Sequence, residues 1–449
     1  MDDLLDVAVA IADRAASGEQ VEAFLTHERS FYVKAYAGDV EALSSAEPRG
    51  AGVRVISDHR VGFAYTTDLA VEAVEAAVKE ARDNSAHATP DEAVALPERG
   101  GEVEELQGLV DSHQANVSPE QKVEFALELE RATRTADPRI RAVEEAIYSD
   151  SDADIAIASS NGISGIYRRT DAWCYSVAIA SDGDDTEVGF EFDLARGLSS
   201  LNPAAVADGA ARGALDILGA KKIPSTRMPV VFDAYTAGQF LGVLGQALIG
   251  EAVQKGRSLF AGRLGERVAS DGLALIDDGR WDGAPGSSPW DAEGVPTTRT
   301  EVIRQGLLNS FVYDTVSARR EGRESTGNAS RGGFKSVPSP APSNLAFEAT
   351  DESRDAVLRR AGRAFFVQDF HGVHSGANAI SGDFSVGATG RLLEDGELGR
   401  PIKEVTVAAP MLDILRDIVA IAPDLRWLPF GGSYGGATML IGEMTVAGE

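Results

Sequence analysis

The chain has 449 residues, enough for two or three domains, and its hydrophobic fraction of 43% is that of an ordinary globular protein. Its net charge of −28 repels a phosphate backbone and disfavours direct nucleic-acid binding. The N-terminus lacks the pattern of a secretory signal, and no apolar run is long enough to span a bilayer. The single cysteine, Cys174, excludes an intramolecular disulfide, and we expect a cytoplasmic protein without membrane contacts.

The first part of the chain is predicted to form a sheet flanked by helices. Residues 1–17 and 69–86 carry apolar side chains at the spacing of amphipathic helices. Between them, apolar and polar residues alternate with a period of two, and a polar cluster at 57–60 indicates a turn between strands. We predict a first α+β domain over residues 1–90.

A second domain is predicted to follow a connector at 87–117, which is polar, acidic and interrupted by proline and glycine. Ser118 has the features of a helix N-cap, and the Asn-Gly pair at 161–162 is a hairpin signal between alternating strands. Cys174 lies in one of these segments and is interpreted as a packed strand cysteine. We predict a central helix-and-antiparallel-sheet domain over residues 91–225.

Residues 226–449 are predicted to form the largest domain. A short apolar strand opens it, Asp233 caps the following helix, several strand-like segments succeed one another, and a helix is predicted over 411–422. Because strands and helices do not alternate regularly, the pattern predicts an α+β fold and not a doubly wound sheet. We therefore expect N-terminal sheet-and-helix domains followed by a larger mixed, mostly antiparallel β-rich C-terminal domain.

The segment from 255 to 333 is dense in glycine, serine, arginine and acidic residues around four aromatic anchors: Phe260, Trp290, Phe311 and Tyr313. Surface loops do not usually need so many residues with special backbone properties. The pattern suggests a shaped polar cavity or an interface.

Two groups of residues are candidates for chemistry. His371 and His374, with Asp369 or Asp383, allow a facial metal site, although polar turn residues explain the same pattern. Ser433 stands in a G-x-S-x-G sequence, but in that hydrolase architecture the histidine follows the serine, and the short remaining tail contains none. A tight turn before the last strand explains Ser433 better.

The remaining candidates are residues for a peptide groove or an interface. The 286–291 segment offers hydroxyls, tight backbone and an aromatic ring, and the 381–385 segment alternates as a strand that can pair with an extended peptide. Ordinary packing is an equally good interpretation of both. The candidate residues are Ser287, Trp290, Asp383, Phe384, Ser385 and Ser433.

Most of the chain, and residues 228–449 above all, resembles the TldD/PmbA family. The resemblance rests on several long motifs in the same order: KGRSLFAGRLGERVAS, IDDG, GSSPWDAEGVPTTRTEVIRQGLL, TVSARREG, STGNASRGG, SGDFSVGATG and IGEMTVAG. The family is known for zinc-dependent proteolysis. In its TldD-type members a helix carries HExxxH, whose two histidines bind zinc together with a cysteine near the C-terminus, and whose glutamate is the general base.

This chain departs from that catalytic pattern. Counting back from FAGRLG, the HExxxH positions fall at Leu241, Gly242 and Gln246, and no cysteine lies near the C-terminus. Leucine, glycine and glutamine cannot replace imidazole as zinc ligands. The resemblance therefore implies a TldE/PmbA-type subunit with no catalytic residue and no metal or other cofactor of its own, while zinc is expected in a TldD-type partner.

The resemblance also implies partners and substrates. It implies a heterodimer with the TldD-type zinc protease subunit, a possible homodimer when the chain is alone, and extended peptides as substrates. The family has also been described as modulating DNA gyrase, although the acidic surface disfavours direct DNA contact. Two alternatives stay open: a peptide-binding or regulatory homodimer without proteolysis, and a self-sufficient hydrolase that uses His371 and His374 or Ser433.

Overall fold

The structure of the chain is a computed structural model, which describes residues 2–98, 103–429 and 431–448. Met1, residues 99–102 of the predicted connector, Phe430 and Glu449 lie outside the described residues. None of the helices within these ranges is both long and apolar enough to cross a membrane.

The described residues of the first half of the chain form four helices and seven strands. Two 3₁₀ turns, Gln114–Asn116 and Leu198–Ser200, lie between them. In chain order the elements are α1 (Asp2–Ala12), β1 (Glu19–Tyr36), β2 (Asp39–Ala46), β3 (Arg49–Ser57), β4 (Arg60–Thr66), α2 (Val71–His87), α3 (Pro119–Thr135), β5 (Ile140–Ser159), β6 (Ser164–Asp182), β7 (Asp185–Ala195) and α4 (Pro203–Leu215).

The seven strands form one antiparallel sheet in the order β4-β3-β1-β5-β6-β7, with β2 paired to β1. The long strands β1 and β5 pair along their lengths, so the sheet continues across the predicted boundary between residues 90 and 91. The predicted hairpin at 161–162 is confirmed, since Gly162 has φ +87° and its N–H donates to the Ser159 carbonyl.

All four helices cover one face of this sheet. The alternate residues Val21, Ala23 and Leu25 of β1 are buried with side chains of α1 and α2. Farther along the same strand and on the same face, Phe31 and Val33 pack with α3 and α4. Side chains of a strand alternate between its two faces, so the residues between these point to the opposite side.

The opposite face of the sheet carries the contact with the C-terminal part of the chain. Arg54 of β3 is buried there and donates to Glu22 of β1 at 2.5 Å and to Glu293 at 2.9 Å. Close by, a Cβ atom on Gly52 would lie 2.3 Å from the Phe334 carbonyl oxygen. Glycine at this position therefore allows the C-terminal loop to lie directly on the strand.

The C-terminal part contains short helices and many strands. In chain order they are β8 (Thr226–Phe232), α5 (Ala234–Ala247), α6 (Gly250–Gln254), β9 (Leu275–Asp278), β10 (Arg299–Arg304), β11 (Leu307–Leu308), α7 (Thr315–Arg320), β12 (Ala329–Ser330), β13 (Ser339–Pro340), β14 (Leu345–Phe347), α8 (Arg354–Ala361), β15 (Ala364–His371), α9 (Val373–Gly376), β16 (Asp383–Glu394), β17 (Glu397–Pro410), α10 (Met411–Arg416), β18 (Ile418–Ile421), β19 (Arg426–Trp427), β20 (Tyr434–Gly436) and β21 (Met439–Ala447).

Five of these strands close into a barrel. Strands β8, β15, β16, β17 and β21 pair in a ring, because β21 pairs with β8 on one edge and with β17 on the other. A second sheet has the order β11-β10-β9-β14-β20-β19. Helix α5 contacts β15 and β8 of the barrel and β20, β14 and β19 of the second sheet, so the helix lies between the two.

The predicted fold class is confirmed, since the chain is 24% helix and 40% strand with the β-rich portion at the C-terminus. The predicted helix over 411–422 is wrong in its second half. Helix α10 ends at Arg416, and the following apolar residues form β18, which pairs with β21. The predicted domain boundaries at 90/91 and 225/226 stay predictions.

Candidate functional site

The helix at the predicted motif positions, α5, has Asp233 as its N-cap, as the sequence predicts. The Asp233 carboxylate accepts hydrogen bonds from the Thr236 N–H at 2.8 Å and the Thr236 hydroxyl at 2.9 Å. Loss of hydration raises the pKa of Asp233 to about 7, and the Thr236 bonds act in the opposite direction. This N-cap fixes where the helix starts.

One stripe of α5 is open to solvent, whereas most of the rest of the helix is buried. The side chains of Phe240, Leu241 and Leu244 lie in the large C-terminal core. Residues 235, 239 and 242, which are half-buried, and Gln246, which is exposed, form this stripe at a spacing of three or four residues. The three motif positions therefore lie in different environments. Leu241 is 1% exposed in the core, whereas Gly242 and Gln246 lie on the solvent-facing stripe.

The β19–β20 strands lie close against this helix. A Cβ on Gly245 would lie 2.7 Å from the Tyr434 ring, and one on Gly238 would lie 2.8 Å from Leu428. Burial raises the pKa of Tyr434 to about 12, and a hydrogen bond with the Gln246 side chain acts in the opposite direction. The glycines of α5 therefore serve close packing, and Gln246 has a partner in Tyr434.

A row of aromatic rings leads from the sheet to the first turn of α5. Trp173 and Tyr175 of β6 stack 5.8 Å apart, and Tyr175 lies 5.6 Å from Phe190 of β7. Phe190 and Phe192 then lie 5.5 and 5.9 Å from Tyr235, measured between ring centroids. Four of the five rings are half-exposed, so the row presents a continuous aromatic surface.

A cavity of about 400 Å³ opens beside this row. Arg169 and Arg196 share the Asp171 carboxylate, and they also donate to the carbonyls of Pro285 and Ala284 at 2.6 and 2.7 Å. The cavity lies between the sheet and the C-terminal part, and we call it, together with the aromatic row, the α5 cleft. Its lining includes Arg169, Asp171, Trp173, Phe192, Arg196, Arg426, Trp427 and Ser433.

Two of the predicted groove residues are brought together. The Ser433 hydroxyl donates to the Asn344 side-chain oxygen at 2.6 Å, and the Asn344 amide donates to the Ser287 hydroxyl at 3.1 Å. Ser433 lines the α5 cleft, but Ser287 is only 2% exposed. Within the described chain Ser433 has no hydrogen bond to a histidine, so it lacks the base that an activated serine needs.

The other predicted groove residues lie elsewhere. Trp290 packs against Tyr167, with ring centroids 4.7 Å apart, in a separate cluster under the sheet. Phe384 is buried in the barrel core, whereas Asp383 and Ser385 are exposed on β16. This part of β16 already pairs with β17, and Phe384 also bridges to Ala377.

The two clustered histidines lie on an exposed turn. Gly372 has φ +70°, which ends β15 and begins the single-turn helix α9 that carries His374. The His371 Nε2 atom lies 2.9 Å from the Thr389 hydroxyl, and Nδ1 lies 3.6 Å from Asp369. Loss of hydration raises the pKa of Asp369, and the nearby His371 acts in the opposite direction.

Cys174 is buried in the helix-covered core of the sheet, which confirms the interpretation as a packed strand cysteine. Burial raises the pKa of its thiol to about 12. The aromatic row was not predicted, although the alternation in Trp173-Cys174-Tyr175 and Phe190-Glu191-Phe192 was a signal that could have found four of its five rings.

Three family models match the chain, and together they cover most of it. They are the PmbA/TldA metallopeptidase domain 1 over residues 21–85, the central domain over 112–218 and the C-terminal domain over 225–448. The chain therefore belongs to the PmbA/TldD metallopeptidase family.

Individual relatives agree with this assignment. The chain is 28% identical to Metalloprotease PmbA of Escherichia coli, covering 99% of this chain and 96% of that protein. It is 26% identical to a Metalloprotease TldD homolog of Haemophilus influenzae, covering 83% of this chain and 79% of that protein. PmbA-type and TldD-type relatives both match.

Solved structures share the whole fold. A Thermotoga maritima protein called a modulator of a DNA gyrase has a TM-score of 0.89 at 27% identity, covering 99% of this chain and all of that one. TldE from Thermococcus kodakarensis also has a TM-score of 0.89, at 23% identity, with both chains covered completely. At this lower identity the likeness shows the fold alone.

The family name implies a metal, but the residues of α5 do not fit one. The side chain of Leu241 is packed in the core, Gly242 has none, and the Gln246 amide bonds to Tyr434. Across residues 2–98, 103–429 and 431–448, no three His, Cys, Asp or Glu side chains are grouped so that they could hold a metal ion. That this chain works without its own metal stays a prediction.

Proposed function

We propose that this chain is the non-catalytic, TldE/PmbA-type subunit of a two-component TldD/TldE zinc metallopeptidase complex. The observation that carries the proposal is the chemistry of α5 at the motif positions. Zinc needs imidazole, thiolate or carboxylate ligands to hold and polarise a water molecule, and Leu241, Gly242 and Gln246 supply none. The partner, a TldD-type subunit, supplies the zinc and the general base.

In this proposal the α5 cleft forms part of the wall of the chamber in which peptides are cleaved. Aromatic rings give a large contact area at little cost in conformational entropy, and the row from Trp173 to Tyr235 presents such an area next to α5. The arginines of the cleft add donors for peptide carbonyls or carboxylates. The substrates are unfolded or extended peptides, and the complex works in the cytoplasm.

The test compares the chain alone, the TldD-type subunit from the same organism, and their mixture. We expect negligible zinc in the isolated chain by metal analysis, no hydrolysis of an unfolded peptide by it, and hydrolysis by the mixture. Hydrolysis by the isolated chain that is lost in His371→Ala, His374→Ala or Ser433→Ala would replace the proposal with the self-sufficient hydrolase. Inactivity of the mixture, with peptide bound by a homodimer, would favour the regulatory alternative.

The role of the cleft is tested by a substitution in the complex. Trp173→Ala removes one ring of the row, and loss of about 1–2 kcal/mol of aromatic contact lowers kcat/KM roughly 5- to 30-fold. The control is Tyr36→Ala, because Tyr36 is 47% exposed and is not part of the row. Equal kcat/KM for the two variants would remove the cleft from the proposed chamber.

A further inference from the structure

Among the described residues, part of strand β6 has a strand partner on one edge only. Strand β7 pairs with β6 from Ala172 onwards, so the first eight residues of β6 pair with β5 alone. The Ser159 N–H donates to the Ile163 carbonyl inside the hairpin, and the Thr170 N–H donates to the Leu109 carbonyl on the outer edge. Backbone groups of a strand alternate between its two edges.

The alternation identifies which groups of this edge are unpaired. Because Thr170 directs its N–H outwards, the residues at 168, 166 and 164 direct their N–H and C=O groups the same way. For Arg168, Ile166 and Ser164, no hydrogen bond to these backbone groups involves another described residue. An edge of this kind is a template for pairing with another extended chain.

A groove of about 870 Å³ runs along this edge, a volume within the range of about 300–1,000 Å³ that is usual for ligand sites. Its other wall is the connector, residues 103–110, in which Val103 and Val110 are each 41% exposed. The lining also includes Ile157, Ile163, Gly165, Tyr167, Trp290 and Pro296.

The floor of the groove explains why glycine occupies position 165. A Cβ there would lie 3.1 Å from the Trp290 indole nitrogen, so a larger residue would require the ring to move by a few tenths of an ångström. Trp290 is 6% exposed and lines the groove beside this strand. Its ring therefore offers an aromatic surface to a bound chain.

We propose that this groove binds an extended peptide segment, which adds to the sheet as a strand along Ser164–Arg168. The unpaired groups recur at every second residue, about 6.6–6.8 Å apart, and only an extended backbone matches this spacing. Alternate side chains of the peptide contact Trp290, Ile163 and the valines of the connector. The site is separate from the α5 cleft, and its peptide binding requires no zinc partner.

The charges around the groove favour a basic peptide. Glu104 and Glu105 line it, and the one cation among the described lining residues, Arg168, is held by two hydrogen bonds to Asp152 at 2.5 and 2.7 Å. The whole chain carries −28. In a peptide of alternating lysine and valine, the valines complement the apolar floor and the lysines complement the acidic surroundings.

The experiment measures binding of a fluorescein-labelled Lys-Val-Lys-Val-Lys amide to the full chain by fluorescence anisotropy. Ser164→Pro removes one outward N–H at the exposed first residue of β6, where proline is tolerated, and Ser164→Ala keeps it. Loss of one hydrogen bond weakens binding about 3- to 10-fold in the proline variant, whereas the alanine variant binds like the wild type. The corresponding peptide with glutamate in place of lysine binds more weakly.

A second measurement does not depend on the variant's folding. N-methylation of the peptide at positions that face β6 weakens binding, and N-methylation at the alternate positions does not. Three results overturn the proposal: no binding of the lysine-valine peptide, equal binding of all N-methylated peptides, or amides of Ser164, Ile166 and Arg168 that already exchange slowly with solvent in the free protein. None of these results bears on whether a TldD-type partner completes a peptidase.

Discussion

At the scale of single residues, Asp233 combines a structural role with an unfavourable environment. Its carboxylate caps the helix that carries the motif positions, yet loss of hydration raises its pKa to about 7. The nearby Arg426 lowers this pKa and Asp369 raises it. The folded protein therefore holds a proton on Asp233 at pH values where the unfolded chain has released it.

The raised pKa of Asp233 makes the folded protein less stable as the pH rises. As the pH rises from about 4 to about 7, the unfolded chain loses the Asp233 proton first, so the free energy of unfolding falls across this window by about 1.4 kcal/mol for each unit of pKa difference. Asp233→Asn keeps the N-cap and has no proton to lose. Urea unfolding at several pH values should show the wild type losing stability relative to the variant, and parallel profiles would contradict the assigned pKa.

Single-residue features were predictable where they depend on neighbours in the chain. The N-caps Ser118 and Asp233 were predicted from adjacent residues, and the structure confirms both. The contact of Ser433 with Asn344 joins residues 89 positions apart, and no local pattern in the sequence encodes it. The same holds for Gln246 and Tyr434, whose contact depends on Gly245 of α5, because a Cβ there would lie 2.7 Å from the Tyr434 ring.

At the scale of elements, the strands of the first sheet and the C-terminal loops are joined by buried charges. Arg54 of β3 is 4% exposed and lies between Glu22 and Glu293, which are each 1% exposed. Arg331 also donates to Glu22, and its guanidinium lies over the Phe24 ring. Removing one member of such a cluster leaves uncompensated charge in the interior.

Arg54→Leu is therefore expected to destabilise the protein by about 3–5 kcal/mol, because both glutamates lose a buried partner. The matched control is Arg29→Leu on the neighbouring strand, since Arg29 is 57% exposed and its pair with Glu47 contributes at most about 1 kcal/mol. Thermal unfolding of both variants measures the difference. Similar melting temperatures would mean that water or a rearranged side chain compensates the buried charges of Glu22 and Glu293.

Helices and strands were harder to predict where the same residues are compatible with a strand and also with a helix or a turn. The apolar residues at 418–421 continue the helical spacing of α10, but β21 offers them a strand partner, and tertiary pairing decides. Strand β5 is 20 residues long and includes the acidic run at 150–154, which resembles a turn in the sequence. These residues stay extended because β1 and β6 pair with them on both edges.

At the scale of the whole molecule, the α5 cleft is assembled from distant parts of the chain. The aromatic row takes rings from β6, β7 and α5, which the continuous sheet and the C-terminal part bring together. The sequence motifs indicated the family and the position of the helix, but the surface beside that helix follows from the topology. The motifs therefore led to the helix with the candidate motif positions and not to the cleft beside it.

The net charge of −28 gives the last prediction, which concerns the stability of the whole chain. Like charges repel in the compact state, and salt shortens the range of this repulsion from about 10 Å at 0.1 M to about 3 Å at 1 M. Salt also weakens exposed ion pairs, but these contribute only about 0–1 kcal/mol each, and the buried Arg54 cluster is poorly screened. The melting temperature should therefore rise with sodium chloride at neutral pH. Near the isoelectric point of about 4.6 the repulsion is absent and the rise should vanish. A melting temperature that falls with salt at neutral pH would show that attractive surface pairs outweigh the net charge.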